Sequence, residues 1–293
     1  MHRPLNSLTI FVTLLVIPIL AACAQPIEQR ANVGDAFSIT LQYETSSQTT
    51  GGSESSSRGH QSIVERVIAV EDDGLTLEYD LPSSVSEEER ARHWQYPARV
   101  FRSRSGEQQL LDRELLEDRV SEWLDRFEIP RSACGHWLFT WNAFQIVCDP
   151  ESVLQSIAQY DLRPTNLRDG GLFHDPVALG PGQFVRSATD AGELQFVVEM
   201  AVDPDKIRQE RVEADLVAAE IMGRELTEEE ASYARASEEI TGSAVVTFHT
   251  DADGQIIRRT REVSLEIRLT DGSLETSTSS QVLSRELMVQ VGS

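Results

Sequence analysis

Lysine is almost missing from this chain. Of its 26 basic residues only Lys206 is lysine, and 48 acidic residues bring the formal net charge to -22. So little positive charge excludes non-specific nucleic-acid binding, which needs a basic footprint to displace phosphate counterions. It also excludes adhesion to anionic lipid through a polybasic surface. Aromatic residues are scarce, at 6%, while 40% of the chain is apolar. With a mean hydropathy of -0.29, that balance fits neither a polytopic membrane protein nor a disordered chain. A length of 293 residues allows one large domain or two ordinary ones.

Catalytic signatures are missing as well. The six histidines show no HExxH or other paired spacing expected of a zinc helix. Neither a GxSxG elbow nor an SxxK motif is present. No glycine-rich stretch has Walker or Rossmann spacing after a strand, so no cofactor is implied. Asp251-Ala252-Asp253-Gly254 invites a calcium reading but fails the EF-hand template. His249 stands where the first acidic ligand belongs, and Thr260 where the bidentate Glu belongs. The expectation is a non-enzymatic chain with no metal site.

Long apolar runs are limited to Leu8–Leu20 (LTIFVTLLVIPIL), preceded by Arg3. This stretch is shorter than the roughly 20 helical residues that span a bilayer, and it suits a signal-peptide core. Leu20-Ala21-Ala22-Cys23 follows at once. Over these first 23 residues the chain resembles bacterial lipoprotein precursors, whose lipobox is an apolar residue, two small residues and a cysteine. The resemblance implies cleavage between Ala22 and Cys23, a diacylglyceryl thioether on Cys23 and acylation of the freed amine. Each buried methylene contributes about 0.8 kcal/mol, so two or more acyl chains anchor where one would not. Ala24 stands where inner-membrane lipoproteins of enteric bacteria often carry Asp, so the resemblance favours the periplasmic face of the outer membrane. Residues 1–22 then read as signal peptide and 23–35 as lipidated cysteine and tether.

Three cysteines are present. With Cys23 given to lipid, Cys134 and Cys148 remain as an even pair in an oxidising compartment, where disulfides persist. The chain-entropy treatment gives about 3 kcal/mol for a loop of this length. A hairpin turning near Trp141-Asn142 would place the two sulfurs opposite each other; free thiols or half a metal site are the rival readings. Between them lie Trp137, Phe139, Trp141 and Phe144, a candidate apolar patch. In a strand the first three share one face and Phe144 has the parity of the other. Core packing, the wall of an apolar pocket and a partner-docking surface all fit this pattern.

Elsewhere the patterning is mixed. Ala36–Glu44, Ser62–Val70 and Leu75–Leu81 alternate as strands, with Asp72-Asp73-Gly74 as a turn. Thr45–Ser57, rich in Ser, Thr, Gly and Gln, reads as a flexible loop or long hairpin tip. Leu110–Phe127 reads as an amphipathic helix through Leu111, Leu115, Val120, Trp123, Leu124 and Phe127. Asp149-Pro150, Asp203-Pro204 and the Thr227 capping box open further helices, the last stopped by Gly242. Arg163–Gly182 is an irregular connector, and a hairpin turns around Asp190-Ala191-Gly192. Ser243–Thr250, Gln255–Leu269 and Leu274–Val291 form a closing meander. The expected fold is α+β over residues 36–293: a curved antiparallel sheet built from N- and C-terminal meanders and covered by central helices. Two domains split near residue 183 is the alternative.

Taken together, the sequence predicts a lipid-anchored envelope protein with a binding or structural role. Its partners would be the membrane, through the anchor, and an envelope protein or an apolar ligand. A periplasmic carrier holding lipid in a half-barrel-like cavity is the second expectation, by analogy of element order alone.

Overall fold

The computed structural model describes residues 31–139, 143–164, 166–188 and 193–288. The signal peptide, the lipobox with Cys23, most of the tether and the Asp190-Ala191-Gly192 turn lie outside them.

The N-terminal half holds β1 (Ala36–Thr49), β2 (Glu54–Val70), β3 (Gly74–Asp80), α1 (Glu87–Arg90), β4 (Ala98–Ser103), β5 (Gln108–Leu110) and α2 (Arg113–Arg126). A small unit follows: β6 (Trp137–Phe139), β7 (Ala143–Gln145) and α3 (Ser152–Ala158). Short strands β8 (Leu172–Phe173) and β9 (Gly182–Gln183) lead to β10 (Val185–Ala188) and β11 (Leu194–Ala201). The chain closes with α4 (Pro204–Ile221), α5 (Glu228–Arg235), β12 (Glu239–Thr250), β13 (Ile256–Arg268) and β14 (Leu274–Leu287).

Ten of these strands form one antiparallel sheet, ordered β10-β11-β12-β13-β14-β1-β2-β3-β4-β5. The two meanders meet where β1 pairs with β14, with Phe37 opposite Leu287. Two-residue alternation sends one face inward: Ile39 and Leu41 on β1, Ile63 and Val67 on β2, Leu77 and Tyr79 on β3, Phe196 and Val198 on β11. Laid flat, β4 and β11 would stand about 34 Å apart at normal strand spacing. Side chains from both nevertheless belong to one buried cluster, as a strongly curved sheet requires. That cluster also takes Leu116, Val120 and Leu124 from α2 and Val153 and Ile157 from α3. A second cluster joins Ile207 of α4 to Ile240, Val263 and Ile267. Mostly antiparallel sheet, curved, with helices: the expected class holds at that level.

Three details refine or correct the expectation. Thr45–Ser57 is the long hairpin tip, one of the two expected forms, and not a flexible loop. Both strands of the hairpin run through it, leaving a turn at residues 50–53. Pairing on both sides, to β2 and β14, satisfies the β1 backbone where side-chain hydropathy carries no signal. The buried face of α2 is Leu116, Val120 and Leu124 at four-residue spacing, while Leu115 and Phe127 are 49% and 40% exposed. Gly242 does not stop α5, which ends at Arg235; it lies inside β12. A Cβ there would stand 2.1 Å from the Ser264 carbonyl oxygen, so β12 and β13 approach closely only over glycine.

The helix starts follow their signals. The Asp203 carboxylate accepts the Asp205 N–H at 3.0 Å with Pro204 in the first turn. Thr227 and Glu230 close a reciprocal capping box. Among the described residues no helix is long and apolar enough to cross a membrane.

Candidate functional site

Cys134 and Cys148 are joined as a disulfide, their Cα atoms 5.7 Å apart. They close the base of the β6–β7 hairpin, in which Trp137 faces Gln145 and Leu138 faces Phe144. Gly135, at φ 88, makes the turn into β6 and donates its N–H to the Ile146 carbonyl at 2.7 Å. Trp137 is half-buried and Phe144 is 43% exposed. Trp141 and the Phe139 side chain lie outside the described residues. The hairpin is tied to the end of α4: Glu220 accepts the Trp137 N–H at 3.1 Å and lies 3.3 Å from His136 Nδ1.

A dense buried polar constellation lies elsewhere, on the concave face of the sheet, and sequence reasoning missed it. Glu65 on β2 is 0% exposed. Its carboxylate accepts from Arg163 through Nη1 at 2.6 Å and through Nη2, from Arg285 Nη2 at 2.9 Å and from the Tyr79 hydroxyl at 3.0 Å. Arg163 belongs to the irregular strap at 159–163 that follows α3. Arg102 on β4 donates to Asp161 at 3.1 Å and to the Arg163 carbonyl at 2.5 Å. Arg259 on β13 donates to the carbonyls of Asp161 and Gln159. The Tyr160 hydroxyl reaches Gln61 at 2.9 Å. Polar groups from β2, β4, β13 and β14 thus lace the strap across the concave face.

The electrostatics follow from burial. Desolvation alone would raise the Glu65 carboxyl; Arg163 and then Arg285 overcome it and hold the group down to about 2. Desolvation, then the neighbouring Glu65 charge, pushes the Tyr79 hydroxyl well above its usual value. Glu65 is therefore a fixed anion and Tyr79 a fixed donor. Buried and bonded to two guanidinium groups and a hydroxyl, Glu65 serves as a clamp. The signal was present in the sequence: Glu65 stands between Ile63 and Val67 at inward spacing, and Arg102 and Arg285 follow Val100 and Leu283 by two residues. A charge at a core position of a strand implies a buried partner.

The remaining sequence candidates resolve into local structure. Asp251 accepts the N–H groups of Asp253 and Gln255 at 3.0 and 2.8 Å, as a hairpin turn does. His174 is exposed. Among the described residues no group of three or more His, Cys, Asp or Glu side chains is placed to hold a metal. Surface clefts among the described residues include a pair. One, of about 120 Å³, lies between β4 and α2 beside Arg99, Asp112 and Arg119. The other, of about 440 Å³, lies over β1, β2 and β14 beside Glu44, Arg58 and His60.

No family model and no curated protein matches the chain. Among solved structures it is similar to one described as lipid–protein interactions in lipovitellin, at 10% identity and a TM-score of 0.40, over 89% of this chain and 26% of that one. It thus spans about a quarter of the lipovitellin chain. It is also similar to Ail, the attachment invasion locus protein of Yersinia pestis, at 6% identity and a TM-score of 0.14, over 87% of this chain and 100% of that one. At such TM-scores neither likeness bears on function.

Proposed function

We propose that this chain is a lipid-anchored protein of the bacterial cell envelope, with a non-enzymatic binding or structural role on the periplasmic face of the outer membrane. The observation that carries the proposal is Leu20-Ala21-Ala22-Cys23 directly after the apolar stretch Leu8–Leu20. The Cys134–Cys148 disulfide supports an oxidising compartment. The test is metabolic labelling with radiolabelled palmitate followed by membrane fractionation. Wild type should incorporate label and sediment with outer membranes. Cys23→Ser should do neither, and an unlabelled or equally membrane-bound pair would refute the anchor.

A second reading is favoured by the curved sheet with α2 and α3 against its inner face: a carrier for a lipid or another apolar ligand. The exported chain from residue 23 with Cys23→Ser, examined by native mass spectrometry, should then retain a small amphiphile. A form purified without one, and unable to take one up, would leave the binding or structural role alone.

A further inference from the structure

Guanidinium groups outnumber carboxylates on the concave face where β13 starts and β14 ends. Arg163 and Arg285 share one carboxylate, that of Glu65. Among the described residues Arg259 donates only to the carbonyls of Asp161 and Gln159, with the Asp161 and Asp175 carboxylates near it but not bonded to it. Arg259 pairs in register with Leu283, so Arg285 is its diagonal neighbour on the same face, about 7–8 Å away. Arg285 is 7% exposed, yet its Nε has no partner among the described residues. A buried, unsatisfied cationic donor is costly unless something completes it.

Apolar surface adjoins these cations. The Arg285 guanidinium lies 3.4 Å over the Phe37 ring. Phe37 pairs with Leu287, which shares the inward parity of β14 and is 61% exposed. Burial, then repulsion by Arg163, weakens the hold of Arg285 on its proton, and burial does the same to Arg259. Both would be relieved by an added anion. All of this sits in a chain of net charge -22, so a local cationic excess needs a reason.

We propose that Arg285 and Arg259 form the head-group subsite for an oxyanion carrying an apolar chain, a carboxylate or phosphate amphiphile, with its chain along Phe37 and Leu287. This inference rests on the carrier reading and names its ligand class. Two guanidinium forks on neighbouring strands suit a carboxylate or phosphate, which accepts paired N–H bonds.

Isothermal titration of the exported Cys23→Ser chain at pH 8 tests it, using laurate, dodecyl maltoside and inorganic phosphate below micellar concentrations. Laurate should bind at least tenfold more tightly than dodecyl maltoside, and phosphate alone should compete weakly. Arg259→Met and Arg285→Met should each reduce that preference at least fivefold. Leu287→Ser, on the exposed rim, should weaken laurate without disturbing the fold. Equal binding of both dodecyl compounds would leave the carrier reading standing and overturn the cationic subsite. Binding of neither would overturn both. Unchanged preference in a folded Arg259→Met protein would also overturn the subsite.

Discussion

Glu65 shows how much one side chain constrains. Replacing it by Gln leaves Arg163 and Arg285 buried without their anion, so Glu65→Gln should cost about 3–5 kcal/mol in urea unfolding. The triple exchange Glu65→Leu, Arg163→Met, Arg285→Met should recover most of that loss, since an apolar replacement removes the desolvation penalty together with the pair. The pH dependence has a definite sign. The folded-state value is depressed from 4.5 to about 2, so this group's contribution is complete above about 4.5. It is lost as the pH falls from there toward 2. Wild type should therefore lose stability across that window, and the triple variant should lose less. The inward position of Glu65 was legible from Ile63 and Val67, but its partners were not. Arg163 is distant in sequence and lies in an irregular segment without periodicity, and Arg285 meets Glu65 only because β14 pairs with β1.

At the scale of elements, turn and cap chemistry read well. The Thr227 capping box, the Asp203-Pro204 start and the Asp253-Gly254 turn are local, set by side chains within a few residues of the backbone they satisfy. Faces read less well, because a helix with apolar residues on several sides is oriented by what it packs against. On α2, Leu116→Ala should cost about 2–5 kcal/mol as a buried truncation. Leu115→Ala should change stability by about 0.5 kcal/mol or less, and thermal melts of the two separate the faces. Polar strands left the sequence reading open between loop and hairpin. Thr45–Ser57 has no hydrophobic alternation, yet it pairs from Thr45 opposite Ser57 to Gln48 opposite Glu54. Removing the disulfide by Cys134→Ala with Cys148→Ala should lower stability by about 2–4 kcal/mol. The ten-stranded sheet should persist, because β6 and β7 form a sheet of their own.

For the whole molecule, charge dominates. With a net charge of -22, self-repulsion opposes the compact state at neutral pH. Raising sodium chloride from about 0.01 M to about 0.5 M should raise Tm, because the Debye length falls from about 30 Å to well below 10 Å and repulsion between more distant surface charges is screened. The Glu65 clamp, being enclosed, should be nearly indifferent to salt. Calorimetry of wild type and the triple variant across the same salt series checks both: the two Tm curves should run parallel.

The sequence alone determined the features that depend on neighbours along the chain. The lipobox pattern, the helix caps, the acidic balance and the strand alternation of both meanders are of this kind, since each is set by residues a few positions apart. Only the tertiary structure decided how the meanders join, through β1 and β14, and therefore which inward charges meet. A strand's alternation says that a residue points to the core, but register and sheet order decide whose side chain waits there. That is why Glu65, Arg163 and Arg285, separated by as many as 220 positions, form one clamp that no local pattern announces.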